Sequence, residues 1–519
     1  MNDRAIRKIV IVGGGTAGWM AAAPLSLVLL GHAHRPCEIV LVESPELGTI
    51  GVGEATLPSI RYYNQILGLD GVEFVRRTQA TFKLGIEFKD WGRVGHRFFH
   101  GFGGFGPQMQ NRSSFTYWLR LNRDGGVPSY EDFSTATVMA RQNRFTPPSG
   151  ETPSAHNAYS YAFHFDAGLY AAYLREYAMR RGTQRIEGTI VDVELRPEDG
   201  FVAAVKLRDG RRIDGDLFID CSGFRGLLID GAMKSGFEDW SAWLPCNSAL
   251  AVPCAKADRL TPYTTSTARS AGWQWRIPLQ HRTGNGHVYC NDFISDDEAA
   301  RVLLDHLDGE ALDSPRQLRF TTGRRREAWV KNVVAVGLAS GFLEPLESTS
   351  IQLIMDGVGS LVELFPDRDF QPGLAAEYNR KMARQYESIR DFIILHYKLN
   401  ERDDSEFWRH CAAMPIPDTL RHQMELFRES GRVCILDRES FEEASWISIM
   451  FGLGLAPKKH DPFADLVDEA ALRTHFKRLR EAIAGTVAGM PDHGAFIERY
   501  AKADPIEVKG ASRVAATVA

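Results

Sequence analysis

No two cysteines of this chain are spaced as a CxxC pair, and no apolar run is long enough to cross a bilayer. The seven cysteines (Cys37, Cys221, Cys246, Cys254, Cys290, Cys411 and Cys434) are scattered and odd in number. That usage suits reduced thiols in a cytoplasm, all seven read as buried small hydrophobes, rather than a disulfide framework. The longest apolar stretch, Trp19 to Leu30, carries Pro24 and falls short of the roughly 20 residues a membrane helix needs. Met1-Asn2-Asp3-Arg4 runs toward a strand without a signal-like apolar region, so neither export nor a membrane anchor is expected. Basic charge is not in excess: 61 Lys and Arg stand against 66 Asp and Glu, a net charge of -5, which argues against nucleic acid as the main partner. His32, His34, His96 and His100 lack Cys or carboxylate partners at ligand spacing, so no metal site is expected. There are no repeats and no low-complexity tract, and nothing sets the oligomeric state.

What is present begins at the N-terminus. Ile9-Val10-Ile11-Val12 runs into Gly13-Gly14-Gly15-Thr16-Ala17-Gly18 and an alanine-rich helix, the first strand, turn and helix of a dinucleotide-binding βαβ unit. Gly13 permits the tight turn, Gly15 lets backbone approach a pyrophosphate at the helix N-terminus, and Gly18 lets the helix pack closely on the strand. A second strand, Glu38 to Val42, ends at Glu43, where an acidic residue would grip a ribose hydroxyl. The loop Gly48 to Pro58 is interleaved with glycine and reads as too flexible for a regular element. Two more glycine turns follow buried strands, at Gly223 after Leu217–Asp220 and at Gly337 after Val333–Val336. Three such turns indicate one long cofactor threaded through a domain of discontinuous segments.

Elsewhere the pattern is mixed. Helices are expected within residues 60–74, and Phe82 to Phe88 alternates as one strand with Lys83, Gly85 and Glu87 on the face opposite Phe82, Leu84, Ile86 and Phe88. Residues Phe98 to Phe105 are dense in aromatics and glycine, and either wall an aromatic-binding cavity or fill core. Phe145 to Ala158 reads as an exposed connection, and Tyr161 to Asp166 as the start of a helix running to about Arg181. Ile186–Leu195 and Val202–Leu207 read as a meander, and Leu250–Pro278 as strands of a second sheet with Trp273 and Trp275 on one face. From about Pro366 the periodicity is helical, and the tail from Val508 is expected to be loosely ordered.

Five ordered motifs carry a resemblance: the glycine turn at Gly13 to Gly18, Gly-Glu-Ala-Thr at Gly53 to Thr56, Lys83 in Thr-Phe-Lys-Leu, WxWxIP at Trp273 to Pro278, and Gly341 to Thr349. Together they resemble the flavin-dependent tryptophan halogenase family from the N-terminus to at least Pro457. Aromatic hydroxylases of the same flavin superfamily usually carry Gly-Asp at the third turn, where this chain has Gly337-Leu338. The fold implied is α/β. A discontinuous Rossmann-like FAD domain (1–60, 155–235, 325–365) joins substrate-facing segments (61–154, 236–324) that contain a second sheet. A helical C-terminal region (366–519) completes the substrate site.

By that resemblance, FADH2 from a separate flavin reductase reacts with dioxygen to give a flavin hydroperoxide, and halide attack on it yields hypohalous acid. Lys83 would receive the oxidant and Glu347 would orient it or take the ring proton. Glu344, before Pro345, reads as structural. FAD contacts carry over to Gly13, Gly14, Gly15, Thr16, Ala17, Gly18, Glu43, Ala55, Val191, Leu338 and Ile351, and the halide to the amides of Thr349-Ser350, where the family typically has Thr-Gly. Substrate walls fall on His100, Phe102 and Phe441. The Trp273/Trp275 pair, next to Pro278, either shields the flavin from organic substrates or packs core. Counting back from Gly452-Leu453-Gly454-Leu455-Ala456-Pro457 finds Glu429-Ser430, Leu436 and Ser440-Phe441 in place of the family's amino-acid anchors. The expectation is therefore halogenation of indole or an indole derivative rather than free tryptophan. An aromatic hydroxylase and a non-catalytic flavin-binding protein stay open as alternatives.

Overall fold

A computed structural model describes residues 4–31, 37–46, 53–123, 125–150, 154–435 and 439–506. The strand Lys8–Val12 lies inside a six-stranded sheet, flanked by Leu217–Asp220 and Glu38–Glu43. Both pairings are parallel, with Val10 opposite Phe218 on one side and Val40 on the other. Ile9, Val10 and Ile11 are fully buried because helices and a small meander cover the two faces. Each such side chain contributes about 1.5–3 kcal/mol of burial. The sheet extends outward through Gln184–Glu187 on one edge and Val333–Ala335 and Trp329–Val330 on the other. The three glycine turns therefore leave neighbouring parallel strands at the same end.

The second sheet has seven strands, with Gly272–Pro278 between Arg282–Tyr289 and Thr264–Arg269, and Gly85–Lys89 and Arg97–Gly101 at one edge. A third, of three strands, joins the two regions: Ala162–Asp166 pairs antiparallel with both Gly53–Ala55 and Thr81–Lys83. Helices Pro372–Lys398, Glu406–Ala413, Asp418–Ser430, Glu443–Gly452, Glu469–Ala488 and His493–Tyr500 form the C-terminal region. The fold is the expected one: α/β, with a discontinuous Rossmann-like region, a second sheet and a helical C-terminus. No helix among the described residues is long and apolar enough to cross a membrane.

Three local readings need correction. Residues 82–88 are two strands in two sheets, Thr81–Lys83 and Gly85–Lys89. The break is at Leu84, whose N–H donates to Pro262 and whose carbonyl accepts from Phe102 N–H, so its backbone leaves one ladder before the next begins. Alternation thus continues across a change of sheet. Ala162–Asp166 is a strand, not the first turn of a helix; the helix is Ala167–Arg180, capped by the Asp166 carboxylate on Gly168 and Leu169 N–H. Gly53–Ala55 is a regular strand because Ala162–Asp166 supplies its partner, while Gly48 to Val52 lie outside the described residues, as do His32, His34 and the tail from Val508.

Candidate active site

Lys83 ends its short strand opposite Ala162 and is completely buried. Its ammonium donates to the Thr56 carbonyl at 3.0 Å and to Ser348 Oγ at 2.8 Å, and stands 5.1 Å over the Phe102 ring. Burial pulls its pKa from 10.5 down to about 7, against the pull of nearby Glu347. The strand is anchored from two sides: Thr81 Oγ1 donates to the Pro278 carbonyl at 2.7 Å, and Phe82 N–H donates to His493 Nε2 at 3.2 Å. Hence the end of the WxWxIP strand and a C-terminal helix both fix the lysine.

Glu347 closes the short turn Pro345–Glu347 and is likewise fully buried. The next residue, Ser348, adopts φ 62, ψ 37, a left-handed conformation that costs an L-residue about 1–2 kcal/mol. Its hydroxyl's bond to Lys83 accompanies that strain. His100 Nδ1 lies 2.9 Å and 3.2 Å from the two Glu347 oxygens, and His396 Nε2 lies 2.9 Å from Oε1. Burial drives the Glu347 carboxyl upward, but the two imidazoles outweigh it and hold it at about 2. Glu344, by contrast, is raised to about 7 by burial; its Oε2 accepts from Trp273 Nε1 at 2.9 Å and from Tyr397 OH at 2.5 Å. The partners of both carboxyls pull downward; burial wins at Glu344 and the imidazoles win at Glu347, so the two shift in opposite directions.

Around Lys83 and Glu347 stand rings. Phe441 stacks on Phe392 at 3.8 Å between centroids, and His100 lies 6.3 Å from Phe441 and 6.4 Å from Phe102. His100 Nε2 is buried without a hydrogen-bond partner among the described residues. His100, Phe102 and Phe441, all nearly inaccessible, are thus gathered into one aromatic box on the carboxylate. Thr349 and Ser350 open the helix Ser350–Glu363, which has no side-chain cap, and Thr349 Oγ1 is buried and unpartnered. Free amides at such an end suit an anion.

The glycine turn fits a dinucleotide. A Cβ on Gly13, at φ 111, would lie 2.3 Å from the Cys221 carbonyl oxygen, and one on Gly18 would lie 1.9 Å from the Gly13 carbonyl oxygen. At Gly15 a Cβ would meet nothing within 4 Å, and the helix Thr16–Leu29 that follows has no side-chain cap. Tight packing beneath and open space above uncapped amides is a cradle for a pyrophosphate. Glu43 ends its strand against Gly14, and its carboxylate is bonded to Arg185. Ala55 ends the Gly53–Ala55 strand, Leu338 is the middle residue of the third glycine turn, and Ile351 lies in the first turn of the helix Ser350–Glu363. Val191 stands 58% exposed on the meander strand Ile190–Leu195.

Trp273 and Trp275 lie 6.0 Å apart on one strand, but their surroundings differ. Trp273 is core, bonded to Glu344 and 6.5 Å from Trp91. Trp275 lies against Gly286, with its indole nitrogen buried and unpartnered among the described residues. Four participants were not singled out by sequence reasoning: Thr56 and Ser348, which lie inside quoted motifs, and His396 and His493, which come from helices far along the chain. The one signal for His396 is a polar residue in the buried run Asp391 to Tyr397. Among the described residues no group of three or more His, Cys, Asp or Glu could hold a metal ion.

A parallel-sheet nucleotide cradle joined to a buried lysine, a carboxylate and an aromatic box fits a dinucleotide-dependent enzyme. The comparisons make this specific: the tryptophan halogenase family model matches residues 8–469, and the chain belongs to that family. It is 35% identical to tryptophan 6-halogenase SttH of Streptomyces toxytricini, over 95% of this chain and 98% of the relative. To tryptophan 7-halogenase RebH of Lentzea aerocolonigenes it is also 35% identical, over 88% and 91%. Among solved structures it is similar to BrvH, a flavin-dependent halogenase from Brevundimonas sp. BAL3, with 48% identity, TM-score 0.91 and coverage of 96% and 99%. The chain is a flavin-dependent halogenase, an oxidoreductase that uses FAD, supplied reduced from outside, and a halide ion.

One expectation is overturned. Preference for indole over free tryptophan rested on missing anchors, yet relatives aligned over nearly the whole chain are, by name, tryptophan halogenases. Counting back from a distant turn finds only groups on one stretch of chain, whereas a folded site draws its polar groups from several elements. Polar groups do flank Phe441: Glu439 Oε2 accepts from Ser388 at 2.9 Å, and Ser440 donates to Gln385 at 3.2 Å. Leu436 lies outside the described residues.

Proposed function

We propose that this enzyme halogenates the ring of free tryptophan, with FADH2 delivered by a separate flavin reductase in a cytoplasm that keeps its thiols reduced. The observation that carries the reading is Lys83: a wholly buried amine, bonded among the described residues to a carbonyl and a hydroxyl, beside an ionised glutamate and over an aromatic ring. Bound at the glycine turns, reduced FAD supplies with dioxygen and halide the electrophilic halogen. The amides of Thr349 and Ser350 hold the halide, and Ser350 adds a side chain there. Lys83 donates a hydrogen bond to the incoming oxidant, polarising it, and keeps it from diffusing past. His100, Phe102 and Phe441 clamp the indole and exclude water. Glu347 accepts the ring proton once halogen is attached, and its low pKa suffices because a protonated arene is a far stronger acid. Gly13 to Gly18, Glu43, Ala55, Val191, Leu338 and Ile351 contact the cofactor, while Trp275 shields it from the substrate.

The names of the curated relatives support the choice of tryptophan. The test is mass spectrometry of tryptophan incubated with the enzyme, a flavin reductase, NADH, oxygen and bromide or chloride. Monohalogenated tryptophan is the expected product. Hydroxylated tryptophan, or flavin oxidation with no modified tryptophan in either halide, would refute the reading.

A further inference from the structure

Glu347 is not held by His100 alone. His396 approaches it from the helix Pro372–Lys398, with Nε2 2.9 Å from Oε1, while Nδ1 lies 2.8 Å from the Phe392 carbonyl one turn earlier. A carbonyl only accepts, so Nδ1 carries a hydrogen. Nε2 then either carries a second hydrogen or points its lone pair at a carboxyl that must itself be protonated. Either way the Glu347–His396 axis holds one proton, and it cannot leave through Nδ1, whose hydrogen is committed to the helix backbone.

Where that proton sits is decided by the surroundings. Rings enclose His396: Phe88 at 5.0 Å, Phe392 at 5.4 Å and Trp91 at 6.0 Å between centroids. Rings of that kind offer His396 no hydrogen-bond acceptor, so among the described residues the Glu347 carboxylate is the one partner that compensates a charge on the buried imidazole. On the other side, His100 Nδ1 addresses both Glu347 oxygens, and two donors converging on one carboxyl favour the anion. The other charged or titratable groups nearby are Lys83, which feels the same carboxylate, and Glu344, bonded to the adjacent Tyr397.

We propose that His396 is a positioning residue: a buried imidazolium that fixes Glu347 as an oriented carboxylate facing the aromatic box, without touching substrate or cofactor itself. The inference rests on reading Glu347 as the carboxylate of the halogenation site. It separates two imidazoles that look alike in sequence: His100 lines the box, and His396 sets the charge behind it.

Two measurements test it. The first is long-range proton–nitrogen NMR of the full chain labelled with 15N-histidine, without substrate. In the resting protein one ring, identified by its loss in His396→Gln, is expected to have both nitrogens protonated. An unprotonated Nε2 on that ring would overturn the proposal. The second is the pH profile of bromination. His396→Leu removes the cation, so Glu347 takes a proton at higher pH; turnover is expected to fall about 10- to 100-fold, with its acid limb moved to higher pH. His396→Gln, which keeps a donor toward Glu347, is expected to recover most of the loss. A Leu variant with the wild-type profile, or a folded Gln variant no better than Leu, would contradict the proposal. If the Leu variant fails to fold, the Gln variant and the NMR result still decide. The resting-state NMR result is independent of turnover, so its failure is distinguishable from failure of the proposed function.

Discussion

Lys83→Met removes one charge from the interior while nearly keeping the side chain's length, and its effect on stability follows from the amine's environment. The folded state lowers the amine's pKa from 10.5 to about 7. At roughly 1.4 kcal/mol per pH unit, that drop is a folding penalty of about 5 kcal/mol. The penalty is full below about pH 7, where folded and unfolded chains are both protonated. It fades between about pH 7 and 10.5, where only the unfolded chain holds the proton, so stability rises with pH across that window. Methionine escapes the penalty but leaves the Thr56 carbonyl and Ser348 hydroxyl without their donor, a loss of about 1–3 kcal/mol. The variant should therefore be about 2–4 kcal/mol more stable than wild type near pH 6. Near pH 10 it should be equal or less stable. Urea unfolding of both proteins at the two pH values measures the difference. A Met variant whose advantage is absent near pH 6, or the same at both pH values, would refute the claim that Lys83 is a desolvated amine.

Other expectations concern the neighbouring groups. Glu344→Gln keeps an oxygen for Trp273 and Tyr397 but removes a carboxyl that burial raises from 4.5 to about 7. The wild type loses stability as pH rises through that window, so the variant should gain about 3 kcal/mol at pH 8 and little at pH 5 by the same unfolding assay. Glu347→Gln should bind FAD as wild type in a flavin fluorescence titration while tryptophan halogenation falls at least about 100-fold. Gly13→Ala places a methyl 2.3 Å from the Cys221 carbonyl oxygen at φ 111, and should weaken FAD binding in the same titration by about 100-fold or more.

How far the sequence carries depends on the range of the forces involved. The strands at Lys8–Val12 and Glu38–Glu43 and the turn at Gly13 are legible because β-branched runs and glycine spacing are local. The helical C-terminus is legible for the same reason. Thr81 to Phe88 misleads because alternation records only which side is apolar; the hydrogen bonds of Leu84 to Pro262 and Phe102 come from distant chain and switch the sheet. Ala162–Asp166 reads as helical until two strands arrive to pair with it. At the site, Lys83 and Glu347 come from motifs, but the groups that hydrogen-bond them are 27 to 265 residues away from the first and 49 to 247 from the second. His396 sits in a buried stripe where a histidine reads equally well as core. The substrate expectation failed because it sought anchors only at fixed spacing from one turn, along a single stretch of chain.

The most direct test of the central claim, that a buried amine stands between the flavin and the ring, is one comparison. Wild type and Lys83→Met, each loaded with FAD, are supplied with reductase, oxygen, bromide and tryptophan, while flavin oxidation and bromotryptophan are followed together. The account predicts that the variant oxidises reduced flavin at the wild-type rate and yields no bromotryptophan. Bromotryptophan formed by the variant at the wild-type rate would contradict it.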